Sequence, residues 1–131
     1  MKSSLSKLTL LSALFLFGGC CYFMPCHPAT YIVGTVMDGV SNQAIPNATV
    51  RLYYYETHTA SSGCFALGGA DALPFEFGVS APGYKPVVVK AVPGSYRATV
   101  ALIPEGSSDE STSEFIEISY DRYTELSLDC P

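Results

Sequence analysis

The groups in this 131-residue chain best suited to chemistry are its five cysteines, Cys20, Cys21, Cys26, Cys64 and Cys130. A thiol can be acylated, ligate a metal or close a disulfide. A zinc site needs ligands at short fixed spacing, such as a C-x₂-C pair, and neither Cys26-His27 nor the lone His58 supplies one. No metal and no cofactor are therefore expected. Acid–base catalysis needs a positioned histidine or a carboxylate of shifted pKa. His58 lies in Glu56-Thr57-His58-Thr59, beside a strand end, and reads as an exposed polar residue. There is no G-x-S-x-G elbow and no glycine-rich phosphate loop, so the chain is not expected to be an enzyme. Asp109, Glu110 and Glu114 lack the spacing and the glycine of a calcium loop.

Binding is a different matter. In Tyr53-Tyr54-Tyr55, strand alternation sends Tyr54 to one face and Tyr53 and Tyr55 to the other. Two adjacent exposed aromatics can stack on a sugar or anchor a protein. Tyr53 and Tyr55 are therefore the candidate binding residues. Nucleic acid is excluded as a partner: the net charge is −5, with only seven Lys and Arg, and phosphates call for a clustered basic face.

These residues must be positioned by strands. Tyr31 to Met37, Ala48 to Tyr55, Cys64 to Leu67, Phe75 to Ala81, Val87 to Val92 and Tyr96 to Ile103 are β-branched, aromatic or alternating runs. Val50, Leu52 and Tyr54 share one face of the second run, and Phe75, Phe77 and Val79 one face of the fourth. Pro82-Gly83 and Pro93-Gly94 mark turns. Residues 105–114 (EGSSDESTSE) are polar and acidic and read as a mobile loop. Phe115 to Tyr120 and Thr124 to Cys130 then suggest a closing hairpin, with Ile116, Ile118, Leu126 and Leu128 inward. No segment shows a sustained helical period with caps. The pattern predicts an all-β sandwich.

The N-terminus carries an address. Lys2 and Lys7 precede an apolar run from Leu8 to Phe17, and Gly18-Gly19 follow. As a helix that run rises only about 15 Å, half of a hydrocarbon core, so it reads as a signal peptide over residues 1–19. Phe17-Gly18-Gly19-Cys20 resembles a bacterial lipobox, with Phe17 where the family usually has Leu. The resemblance implies acylation of Cys20 and anchoring through two or three chains, which hold stably where one is marginal. Cys21 is not Asp, which by the same resemblance favours the outer membrane over the inner. Cleavage removes two lysines and no acid, leaving 112 residues and a net charge of −7. With Cys20 acylated, the other four cysteines allow three connectivities in an oxidising compartment. Cys64 with Cys130 is the preferred pairing, tying the chain's end to the domain, and Cys21 with Cys26 then closes a small loop around Pro25.

Four segments carry a second resemblance. They are Gly34-Thr35-Val36-Met37-Asp38, Pro46-Asn47-Ala48-Thr49-Val50-Arg51-Leu52, Gly63-Cys64-Phe65-Ala66-Leu67 and Ala81-Pro82-Gly83-Tyr84-Lys85. In this order they resemble the carboxypeptidase regulatory-like domain, with Ser62 in place of the usual Asp before Gly63. The resemblance implies a single seven-stranded antiparallel β-sandwich, transthyretin-like and normally non-catalytic. The expected organisation is a signal peptide (1–19), a lipidated tether (20–30) and the sandwich with its hairpin extension (31–131). Transthyretin-like hydrolases end in Tyr-Arg-Gly-Ser and use several histidines. This chain ends Leu128-Asp129-Cys130-Pro131 and has two.

The expected function is a cell-envelope lipoprotein that presents a binding or structural module to a protein or glycan partner. The alternatives are a transthyretin-like carrier of a small hydrophobic ligand, which rests on fold alone, and an envelope hydrolase.

Overall fold

A computed structural model describes residues 30–70 and 74–130. The signal peptide, Cys20, the tether up to residue 29 and the Cys21–Cys26 pairing lie outside the described residues. In chain order the elements are β1 (Thr30–Asp38), β2 (Thr49–Leu52), β3 (Tyr55–His58), β4 (Cys64–Ala70), β5 (Phe75–Ser80), β6 (Val87–Ala91), β7 (Ser95–Leu102), β8 (Thr112–Glu117) and the helix α1 (Tyr120–Leu128).

Alternation places the core. Ile32 and Val36 of β1, Val50 and Leu52 of β2, Phe75, Phe77 and Val79 of β5, and Ala98, Val100 and Leu102 of β7 are all buried. Two four-stranded sheets enclose these side chains, in the orders β4-β1-β7-β8 and β3-β2-β5-β6. Aromatic contacts join the layers: Phe77 of the second sheet meets Phe65 at 5.9 Å and Phe115 at 5.3 Å. The last of these is edge-on, an arrangement that the ring quadrupole favours.

The architecture departs from the expectation in strand number and direction. There are eight strands rather than seven among the described residues. The expected run Ala48 to Tyr55 ends at Leu52, and its last residue opens an unforeseen strand, β3, which continues to His58. The sandwich is also not wholly antiparallel: β1 and β7, the central pair of the first sheet, run parallel, with Gly34 opposite Ala98.

The closing hairpin is not formed. Its first arm is β8, but Phe115 rather than Ile116 turns inward, and Ile116 is 55% exposed. A one-residue difference in register exchanges every side chain between faces. The second arm is α1. Ser119 caps it by accepting from the Arg122 N–H at 3.1 Å, and Asp121 lies in the first turn, where the helix dipole favours an acid. The helix packs outside the first sheet, with Tyr31 of β1 against Tyr120 at 4.8 Å and Tyr123 at 5.0 Å between ring centres. Burial, then the neighbouring Tyr120 and Tyr31, raise the pKa of Tyr123. Beyond the helix, Cys130 is bonded to Cys64 at the start of β4, with the Cα atoms 5.6 Å apart. This is the preferred pairing of the sequence reading.

The acidic segment 105–114 is fastened rather than free. Lys85 Nζ donates to the Asp109 carbonyl at 2.8 Å and lies 3.4 Å from Glu110 Oε1. The Ser111 hydroxyl donates to the Lys85 carbonyl and accepts from the Ile103 N–H. Residues 112–114 already belong to β8. Composition alone marks such a stretch as solvated, and it gives no sign of partners far along the chain.

Candidate functional site

The three consecutive tyrosines occupy a tight turn. Leu52 pairs with Tyr55, so Tyr53 and Tyr54 alone connect β2 to β3. Tyr53 has φ +53°. That left-handed conformation costs an ordinary L-residue about 1–2 kcal/mol, and two-residue hairpins normally give it to Gly, Asn or Asp. The strand therefore ends before Tyr54, which does not join Val50 and Leu52 in the core but stands fully exposed. Tyr55 belongs to the edge strand opposite Leu52 and is half exposed. Tyr53 and Tyr54 both line the groove on the neighbouring sheet face.

These two tyrosines stand at one end of a groove on the outer face of the second sheet. Cross-strand pairing aligns Glu56, Arg51, Gly78 and Val88 in one row across β3, β2, β5 and β6. Arg51 Nε donates to Glu56 Oε2 at 2.9 Å, and Val88 is 59% exposed. Gly78 adds no side chain between them, so the sheet surface dips there. The open groove that results has a volume of about 710 Å³. Thr49, Ser80 and Pro86 line its far end, and Glu76 lies along its side. Its chemistry is mixed: two phenol rings, two aliphatic hydroxyls, one guanidinium and two carboxylates. His58 lies beside the groove, with Nδ1 3.5 Å from Thr49 Oγ1 and Nε2 3.8 Å from Glu56 Oε1. Among the described residues, no three His, Cys, Asp or Glu side chains come together to hold a metal.

Sequence reasoning named Tyr53 but missed Tyr54, Arg51, Gly78 and Val88. One signal was present: an isolated glycine inside a strand pattern marks a bulge or a place where something approaches the backbone closely.

A second cluster joins two of the recurrent motifs. Asp38 Oδ1 accepts from the Val40 and Ser41 N–H groups at 2.8 and 3.0 Å, closing the turn after β1. Its Oδ2 accepts from the Tyr84 hydroxyl at 2.8 Å. Asp38 and Tyr84 lie 46 residues apart in sequence, and Gly83 (φ +83°) makes the turn that brings the tyrosine back. The Ser41 N–H first, then the Tyr84 hydroxyl and the Val40 N–H, hold the Asp38 carboxyl below its ordinary pKa. The same bond to Asp38 pushes the Tyr84 phenol up. These roles are structural.

Acid stability is expected to follow. A carboxyl whose pKa is lowered in the fold contributes stability above its unfolded value, near about 4. That contribution is lost as pH falls through the folded value. In thermal melts followed by circular dichroism, Asp38→Asn should melt a few degrees below wild type at pH 7. The difference should shrink as both approach about pH 3. A constant offset over that range would contradict the assignment.

The turn chemistry of the remaining motifs is equally structural. Thr59, buried, donates to the Ile45 carbonyl at 2.6 Å and accepts from the Ala48 N–H at 2.8 Å, stapling the turn around Pro46. Gly63 has φ +78°, and a Cβ there would lie 2.5 Å from the Val36 carbonyl oxygen.

Comparison with known proteins gives three findings. No curated protein matches the chain. A similar solved structure is that of a Bacteroides fragilis protein of unknown function, provisionally described as membrane-associated. It is 28% identical with a TM-score of 0.43, and the match covers 64% of this chain and 31% of that one. This chain thus spans less than a third of that protein's length over the matched part. The family model of the carboxypeptidase regulatory-like domain matches residues 31–108, from β1 through β7 and into the segment fastened by Lys85. With more than half of its length so matched, the chain belongs to the carboxypeptidase regulatory-like domain family.

Proposed function

We propose that this chain is a bacterial cell-envelope lipoprotein, anchored through Cys20, whose β-sandwich is a non-catalytic module presented to a protein or glycan partner. The observation that carries the reading is the direct succession of Phe17-Gly18-Gly19-Cys20 and a family domain that starts at Tyr31. So short a tether would hold the sandwich close to the bilayer. Among the described residues no helix is long and apolar enough to cross a membrane. The absence of Asp at Cys21 favours the outer membrane. The groove favours presentation to a partner over carriage of a small apolar ligand, since ligand pockets bury most of their ligand and this one is open and half polar.

The test is the intact mass of the protein extracted from membranes, wild type beside Cys20→Ser. A chain beginning at residue 20 with added acyl mass, absent from the variant, is the expected result. A lipid-free product released from the membrane in both would overturn the anchor and leave a secreted sandwich.

A further inference from the structure

Two residues of the groove are each of the wrong type for local stability, and they line the same surface. Gly78 lies mid-strand in β5, between the buried Phe77 and Val79. A glycine there loses more backbone entropy on folding than any other residue and offers no side chain to the sheet. The fold does not require it. Its backbone is not left-handed, and a Cβ would meet only the Val87 carbonyl oxygen at 3.8 Å and Val88 Cγ2 at 3.9 Å, ordinary contact distances. Tyr53 is the reverse case, a bulky ring at φ +53° in a turn better served by glycine or asparagine. Local conflicts of this kind concentrate where function opposes stability. Here they give the groove its floor and part of its end wall.

The lining restricts what could lie there. The ring of Tyr54 is fully exposed and offers a flat apolar face. Further along the groove the Arg51–Glu56 pair, and at its far end Thr49 and Ser80, offer donors and acceptors. The groove holds one cation against two carboxylates, Glu56 and Glu76, on a chain of net charge −5. An anionic polymer is therefore repelled, and a lipid tail would desolvate charged groups without pairing them. A chain of sugar rings meets both conditions, with C–H faces to lay on tyrosine and hydroxyls to share among charged side chains.

We propose that the groove floored by Gly78 binds an uncharged oligosaccharide, with Tyr54 as stacking platform and the Arg51–Glu56 pair as hydrogen-bonding edge. This deepens the proposed function, on which it rests, by naming a glycan as the partner. Titration calorimetry on the full chain in detergent tests it, with cellohexaose, maltohexaose and chitohexaose as probes and a galacturonate hexamer as the anionic control. At least one neutral hexamer should bind saturably and the galacturonate should not. Tyr54→Ala should weaken binding about tenfold. Gly78→Val should abolish it while melting no lower than wild type, so that lost binding is separated from lost fold.

Binding of no neutral hexamer, preference for galacturonate, or binding indifferent to Gly78→Val would each overturn the assignment. A protein with acylated Cys20 that binds none of the hexamers, yet cross-links an envelope protein through position 54, would overturn the sugar and leave the presenting module intact. A lipid-free chain that binds a neutral hexamer through Gly78 would overturn the anchor and keep the sugar site.

Discussion

Gly34→Ala is expected to destabilise the sandwich by about 3 kcal/mol or more, since among the described glycines an added methyl group meets the tightest surroundings there. Gly34 sits in the middle of β1, opposite Ala98 of the parallel strand β7. A Cβ built on it would overlap the Ala98 carbonyl oxygen, would lie 2.9 Å from the carbonyl carbon and would come 3.1 Å from the Phe65 ring. Two of these obstacles are backbone, and the third belongs to a side chain only 1% exposed. None can swing into solvent. Relief requires β1 and β7 to move apart, and this pair forms the centre of the first sheet. Overpacking commonly costs about 1–3 kcal/mol when side chains can yield, and backbone yields less. Against a typical total of about 5–15 kcal/mol, the loss would move the urea midpoint well below that of wild type. A midpoint within error of wild type would mean that the two central strands can separate freely, contrary to the packing described.

Removing the Cys64–Cys130 bridge should have the next largest effect. The bond spans 66 residues, and closing so long a loop in the unfolded chain is worth about 4 kcal/mol on the entropic model. Cys64→Ser with Cys130→Ser should therefore lower stability by about 2–4 kcal/mol under non-reducing conditions. The structure adds where the loss should appear. α1 has nine residues and none is buried, too few to persist as an isolated helix in water. It is held by the bridge beyond its C-terminus and by the Tyr31–Tyr120–Tyr123 cluster near its start. Hydrogen exchange over residues 120–128 should accelerate in the double variant, while the amides of β1 and β7 stay protected under native conditions. Unchanged exchange in the helix would show that the tyrosine cluster alone fixes it.

These two positions illustrate how unevenly the fold could be read beforehand. Gly34 belongs to a recognisable motif within a β-branched and aromatic run, so the strand was plain in the residues themselves. The same holds for Val50 and Leu52, for Phe75, Phe77 and Val79, and for the inward row of β7. A period of two needs only adjacent residues to be visible. The Cys64–Cys130 pairing was one of three connectivities, preferred because it ties down the chain's end. α1 was not foreseen, although Ser119 and Asp121 are good cap and first-turn residues. Tyr120, Tyr123 and Thr124 suit a strand as well as a helix, and what decides between them is contact with Tyr31 and the bond at Cys130.

The candidate site was legible only in part for the same reason. Tyr53 was marked by its type, but its partner in the groove is Tyr54, because the chain turns after Leu52. Nothing in three identical residues says which one will take a positive φ. Arg51, Gly78 and Val88 come from three different strands and meet only through their pairing register. The sequence by itself determined the strands of the core, the motifs that turn them and the resemblance that names the family, since each depends on sterics and alternation among near neighbours. Tertiary structure decided the parallel central pair, the helix in place of a hairpin and the groove. Those depend on which strands close against one another and in what register, and that is settled by burying one shared core.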